Sequence, residues 1–363
     1  MVKVLNIMLS RGLGGIQQAF LDYSIALQNQ SIEVVNVISF RAEIARELGG
    51  PRYRLINLGL WDPVSITHLA YIISKEKPDM IIAHGNRAIN LCHILKNINL
   101  PLIGVTHNYS TKWILKCDYA LALTKDLKAN LIASGFPEDR IRLLSNMVKP
   151  HCFPRTSLQA TIRGSCEDRL LRPSDQVRGK KPLPTIGVMG RLIPKKGFDI
   201  FLMALSLMRK RGCQFKAVIG GLGEELSRLE QMRDKLALQD SVDFLGWVEN
   251  RQDFFDQIDI FCLPSKHEPF GILLLEAMAH GKPIVSTNAE GPSEILQDRV
   301  DGLLTDITPI GLAEGMMELV SNPELTQSLA KNAILSIKTK YDIKIVGKIL
   351  GNIINDIQSN KAK

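Results

Sequence analysis

Strand-length apolar runs alternate with helix-length amphipathic stretches along nearly all of the 363 residues, and the alternation breaks once. Few folds tolerate that pattern. A strand buried on both faces reads as a continuous apolar run, and a crossover helix returns the chain to lie parallel, so the pattern predicts parallel α/β sheets. In the first half, residues 2–9, 32–40, 79–83, 102–106 and 118–123 read as strands, with a helix over 16–28 and helical sequence after each of the last three. Residues 140–144 close that series. Residues 149–181 are rich in Pro, Arg, Ser and Lys and have no sustained period, so they read as a linker or exposed excursion. A second series opens at 185–190 and continues with strands at 215–220, 242–245, 259–263 and 284–286 and helices at 198–209 and 224–236. After Pro309 the chain reads as helical, with breaks near 322–323 and 341–342. The length is enough for two full cores. The expected division is a Rossmann-like domain over 1–150, a basic linker over 151–181, a second Rossmann-like domain over 182–342 and a final helix over 343–363.

Composition excludes several classes. With 45% apolar and 23% charged residues the chain is globular. Its six cysteines are scattered without a CxxC, which argues against a zinc site or a disulfide framework and for a reducing cytoplasm. The start MVKVLNIML leads straight into a glycine turn and reads as a first strand, and no run approaches the ~20 apolar residues of a membrane helix. No Asp-x-Asp, GxSxG or GxxxxGK[ST] occurs, against a metal-chelating transferase motif, a serine hydrolase and a P-loop NTPase. The formal charge of +8 is uneven: residues 1–150 carry 17 Lys/Arg against 11 Asp/Glu, and 151–181 carry 7 against 3, while the remainder is slightly acidic. An anionic membrane surface or an acidic lipid-linked acceptor fits that excess, as does a solvated basic surface. Nucleic acid is not expected, since no RNA-binding aromatic motif accompanies the charge.

The most specific string is SKHEPFGILLLEAMAHGKPIVSTNAEGPSEIL, residues 265–296. Pro269 and Gly271 keep Glu268 in a loop, and a helix beginning near Phe270, followed by Gly271 and Ile272, carries Glu276 in its early turns. The helix start offers backbone N–H groups to a phosphate, and an acid one turn in can accept from ribose hydroxyls. A glycine turn at Gly291 then leads into another helix, which Glu294 opens. Other strand ends carry candidates of the same kind. Gly14 and Gly15 in RGLGG (11–15) follow the first strand. Arg191 and Lys196 in RLIPKKG (191–197) suit phosphate oxygens, with Lys195 solvated beside them. Gly221 and Gly223 lie in GGLGE (220–224), and Val248 lies in LGWV (245–248). His107 sits just past a buried strand, with His84 a weaker candidate at another strand end and His267 shaping the loop before Glu268.

Together these strings resemble the retaining glycosyltransferases of family 4, with the two-domain GT-B fold, over nearly the whole chain. The resemblance implies two Rossmann-like domains facing a cleft and a last helix, within about 343–358, crossing back to the N-terminal domain. It implies a nucleotide-sugar donor, UDP-sugar favoured, and transfer with retained anomeric configuration to a glycan, lipid-linked or lipopolysaccharide acceptor. Lys196 and Arg191 would hold the diphosphate, Glu276 the ribose, and Glu268 and His107 the donor sugar. Gly14 and Gly15 would face donor phosphates and acceptor, Gly221 and Gly223 would lie near the nucleotide, and the backbone at Val248 would meet the base. It implies no metal and no resident cofactor; the scattered cysteines favour a cytoplasmic enzyme, and the basic first half favours peripheral association with the inner membrane face. A sugar-nucleotide epimerase of the same fold and a non-catalytic nucleotide-sugar-binding scaffold are the alternatives; a pyridoxal-dependent phosphorylase is disfavoured by the short chain.

Overall fold

The computed structural model describes residues 1–10, 14–48, 52–56, 59, 62–95, 99–149 and 183–361. Residues 11–13 of the RGLGG turn and the whole 151–181 excursion lie outside them. The chain divides into two compact units, the first made by Met1–Lys149 with Thr339–Lys363, the second ending at Lys338.

The first unit runs β1 (Lys3–Met8), α1 (Gly15–Asn29), β2 (Glu33–Ser39), β3 (Arg52–Leu55), α2 (Pro63–Glu76), β4 (Met80–His84), α3 (Asn86–Ile94), β5 (Leu102–Thr106), β6 (Tyr119–Ala122), α4 (Lys125–Ala133) and β7 (Ile141–Leu143). Its seven strands lie in the order β3-β2-β1-β4-β5-β6-β7, all parallel. The central strands β1, β4 and β5 are buried almost throughout, as continuous apolar runs require. Helix α2 starts where the Asp62 side chain accepts from Val64 N–H and Pro63 fills the first helical position. One expectation fails here. No α-helix follows β5: Asn108 folds its side chain back onto Ser110 N–H (2.8 Å), and the only helical piece before β6 is a 3-10 turn at Ile114–Lys116. Short polar side chains that bond their own backbone favour such turns over helix.

The second unit runs β8 (Thr185–Met189), α5 (Phe198–Lys210), β9 (Lys216–Gly220), α6 (Leu226–Lys235), β10 (Val242–Gly246), α7 (Arg251–Gln257), β11 (Ile260–Leu263), α8 (Ile272–Ala279), β12 (Ile284–Thr287), α9 (Glu290–Ile295), β13 (Leu303–Thr305), α10 (Pro309–Ser321) and α11 (Pro323–Ser336). Its sheet order is β10-β9-β8-β11-β12-β13, again all parallel. The order reverses between β8 and β11, and in open α/β sheets ligands bind outside the carboxyl ends of strands at such a switch point. The last helix, α12 (Ile343–Lys361), returns to the first unit. Its Gly347 and Gly351 leave room for Ala26 and Gln30 around the end of α1, and Val148 bridges to the chain on either side of Asp342 (Val148 N–H to Tyr341 O 2.9 Å; Ile343 N–H to Val148 O 3.0 Å).

Candidate functional site

In the second unit the loops after β8, β9, β11 and β12 are joined backbone to backbone. Lys266 N–H donates to the Lys195 carbonyl (2.8 Å), and Gly197, at φ +68°, lies so close to the Pro264 carbonyl that a Cβ would collide with it. Lys266 Nζ reaches Asp199 (2.8 Å) and fixes the same two loops from the outside. This seating brings Lys196 into an ion pair with Glu268, two residues 72 apart in sequence. Arg191 is exposed, and its guanidinium pairs with nothing among the described residues; Lys195 is exposed as expected.

Glu268 is 92% buried, in the loop predicted for it. Besides Lys196, its carboxylate accepts from the Ser265 hydroxyl (3.3 Å). Its own N–H donates to Glu290 Oε2 (3.1 Å), its carbonyl accepts from Gly291 N–H (2.8 Å), and His267 Nδ1 meets the other Glu290 oxygen (2.8 Å). The glycine is needed because a Cβ at Gly291 would overlap the Phe270 backbone. Two readings are corrected here. Gly291 is not in a turn ahead of the helix but inside its first turn, and the acid that opens α9 is Glu290, not Glu294. The reason is the neighbouring loop: Glu290 has two donors to accept from, an N–H and an imidazole, whereas Glu294 is exposed to solvent.

Helix α8 begins after Gly271, whose φ of +105° favours glycine, with the Phe270 side chain buried beneath the loop and Ile272 half-buried. Leu274 and Leu275 donate to the Gly271 carbonyl, so the N–H groups of Ile272 and Leu273 ahead of them have no helical acceptor. Glu276, the fifth residue of α8, is 93% buried. Arg251 of α7 pairs with its Oε1, while its Oε2 is buried with no hydrogen-bond partner. Burial raises the Glu276 pKa, and the Arg251 charge opposes that rise.

Gly221 and Gly223 have a reason for being glycine that needs no ligand. A Cβ at Gly221 (φ +126°) would collide with the Gly190 carbonyl, and one at Gly223 with the Leu192 carbonyl. The two loops run side by side, with Leu192 N–H donating to Leu222 O (2.9 Å). Val248 is half-buried, with its methyl over Gly220.

The first unit holds the other candidates. Gly14 caps α1 and Gly15 is its first residue; among the described residues the nearest atom to a Cβ on Gly14 is Gln17 Oε1 at 3.4 Å, an ordinary contact. His84 ends β4, and His107 follows the neighbouring β5. The rings stack, with centroids 5.3 Å apart, and His84 Nδ1 lies 3.1 Å from His107 Nε2. Phe20 and Tyr23 meet the His84 ring edge-on. Burial pushes His107 down to about 4 and His84 well below its ordinary range, so both imidazoles are neutral at pH 7. One of the two facing nitrogens therefore donates and the other accepts.

Sequence reasoning missed Glu290, Ser265 and Arg251. An acid at the start of a short helix was a signal for the first. Nothing in the sequence links Arg251 to Glu276, 25 residues away.

Residues 13–151 match the family described as Glycosyltransferase Family 4, and residues 173–336 match Glycosyl transferases group 1. A lipopolysaccharide core biosynthesis glycosyltransferase of Rhizobium meliloti, LpsD, is 32% identical over 348 residues, covering 92% of each chain. A second from the same organism, LpsE, is 28% identical over 88% of this chain and 89% of its own. The crystal structure of Anabaena HepE in complex with UDP-glucose superposes with a TM-score of 0.82 at 20% identity, over 98% of this chain and 100% of that one.

Proposed function

We propose a reaction for this chain from the premise that it belongs to the family-4 glycosyltransferases and has the GT-B fold. It is a glycosyltransferase that uses a nucleotide-sugar donor. The donor is proposed to be a UDP-sugar and the acceptor a lipid-linked or lipopolysaccharide glycan; the UDP-glucose carried by HepE and the core-biosynthesis names of the two Rhizobium relatives support that choice.

The observation that carries the reading is the pairing state of three side chains at the switch point of the second sheet: Lys196 on Glu268, and a buried Glu276 with one carboxylate oxygen unpartnered. Lys196, Arg191 and the N–H groups of Ile272 and Leu273 are proposed to receive the diphosphate, and Glu276 Oε2 the ribose. Glu268 orients the donor sugar. Its hydrogen bonds to Lys196 and Ser265 suit a carboxylate held in place more than an attacking nucleophile. The bond from the anomeric carbon to the diphosphate oxygen breaks, the acceptor oxygen bonds to that carbon on the same face, and the acceptor proton passes to the leaving phosphate. Arg191 and Lys196 stabilise the charge on the departing oxygen without a metal. Gly14, Gly15 and His107 are proposed contacts of the sugar and acceptor, and the backbone near Val248 of the base.

Calorimetric titration with a panel of nucleoside diphosphates and their sugars, on wild type and Glu276→Ala, tests this. One nucleotide should bind tightly and lose roughly tenfold or more in the variant. A folded protein that binds none leaves the scaffold alternative without a ligand and sinks the transferase reading. Donor turnover should require an added glycan acceptor and survive chelator; turnover without acceptor would favour the epimerase. No helix among the described residues is long and apolar enough to cross a membrane. Peripheral association of the basic first half is therefore a separate proposal, checked by salt-sensitive binding to anionic vesicles, with binding indifferent to salt as the contrary result.

A further inference from the structure

We propose that Arg251 is a positioning residue for nucleotide recognition: it holds one oxygen of Glu276 so that the other is presented, ionised, to the two hydroxyls of a ribose. This deepens the reading of Glu276 above and rests on it.

The geometry is specific. Glu276 projects from the second turn of α8 and is 93% buried. Arg251 opens α7, a separate helix, and takes Oε1. Oε2 finds no donor among the described residues. A buried carboxylate has room for about four hydrogen bonds and here makes contact at one oxygen only. A ribose diol offers two O–H donors to the other oxygen. With the donor Arg251 on Oε1, a proton on the acid would sit on Oε2 and have to be donated, so only the ionised form lets Oε2 accept from both. The guanidinium beside it favours that ionised form in a site whose burial works against it.

Arg251 is itself held at this place. The Asn250 side chain caps α7 by accepting from Gln252 N–H (3.0 Å). Gln252 Oε1 meets His280 Nε2 (2.8 Å), and His280 Nδ1 meets the Glu276 carbonyl (2.7 Å). The His280 ring stacks on Phe255 of α7, 4.4 Å between centroids. The start of α7 is thus joined to α8 independently of Arg251. A purely structural link between the two helices already exists, and the Arg251 side chain is one-third exposed.

The test uses the full chain, calorimetry with UDP, 2′-deoxy-UDP and 3′-deoxy-UDP, and thermal melts. Wild type should prefer UDP by roughly tenfold or more. In Arg251→Met that preference should fall towards unity while the affinity for the deoxy forms changes by less than about twofold. Arg251→Lys, which keeps charge without the fork, should restore part of it. Since Arg251→Met leaves a buried charge uncompensated and can weaken the fold, Glu276→Gln/Arg251→Met supplies a neutral control that should bind all three nucleotides alike. Equal weakening of all three by Arg251→Met, with the ribose preference intact, assigns Arg251 a structural role and overturns the inference alone. A wild type that binds UDP and its deoxy forms alike, or that binds no ribonucleoside diphosphate of the panel, overturns the Glu276 reading together with it.

Discussion

The two units share a plan, a doubly wound parallel sheet with chemistry-bearing residues at its carboxyl edge, yet hold those residues by opposite means. In the second unit the strand-end loops are fastened to one another through glycines at Gly197, Gly221, Gly223 and Gly291, each against a neighbouring backbone, and the candidate side chains there are charged, all but Arg191 in ion pairs. In the first unit a Cβ on Gly14 would meet, among the described residues, only an ordinary contact with Gln17, and the notable side chains are two neutral imidazoles bonded to each other. A site that must hold a diphosphate needs fixed opposing charges, and fixed charges need rigid loops so that reorganisation does not consume the interaction. A site for neutral sugar hydroxyls needs only oriented donors and acceptors.

The largest effects should come from breaking the loop fastening. Gly221→Ala and Gly197→Ala each put a methyl into a carbonyl at positive φ, and should destabilise the second unit by about 3 kcal/mol or more. Thermal or urea melts read this directly. A wild-type melting curve for Gly221→Ala would mean that the loops can separate and that the contrast between the units is wrong.

Next comes charge against neutrality. Lys196→Ala should lower kcat by about 10²–10³, the range for removing one preorganised group that stabilises developing charge. His107→Ala, which removes a neutral hydrogen-bonding group, should cost about tenfold or less. Equal losses would show that the proposed division of labour between the units is not real.

The central strands were legible because a strand buried on both faces has no choice of composition, and the helix starts at Pro309 and Pro323 because proline suits the first helical position. Of the four edge strands, β7 and β10 were legible and β3 and β13 were not. Arg52–Leu55 alternates exposed arginines with Tyr53 and a buried Leu55 over only four positions, Leu303–Thr305 is three residues long, and α7 has seven, too few for a period to be seen. At the site, Glu268 in a loop and Glu276 on a helix followed from Pro269 and Gly271. The pairings did not, since Lys196–Glu268 and Arg251–Glu276 depend on which loops the sheet order brings together. The glycines of GGLGE were visible, but their packing against the 190–192 backbone was not.

A pH titration sharpens the contrast further. His107 and His84 have folded pKa values below their unfolded ones, so the unfolded chain takes up protons first. Their contribution to stability is complete above about pH 6.5 and is lost as pH falls from there towards 4. Glu276, raised by burial, works in the opposite sense: its burial costs stability at high pH and less as pH falls through its folded value. Urea melts at pH 7, 6 and 5 should show a decline that His107→Gln makes shallower and Glu276→Gln does not. An identical decline in His107→Gln would remove the imidazole pair as its source.

The smallest expected effect on stability separates the two kinds of glycine. Gly14 is extended (φ 170°), so any residue can adopt its conformation, and among the described residues a Cβ there meets nothing closer than 3.4 Å. Gly14→Ala loses little as a helix cap and reduces the freedom of the unfolded chain, two effects of a few tenths to about 1 kcal/mol that oppose each other. The variant should therefore melt within about 1 kcal/mol of wild type. If Gly14 is glycine to let a sugar or phosphate approach the backbone, KM for donor or acceptor should rise several-fold in that well-folded protein. If neither stability nor KM moves, the glycine has no role in the ligand, and the N-terminal loop should be removed from the proposed site.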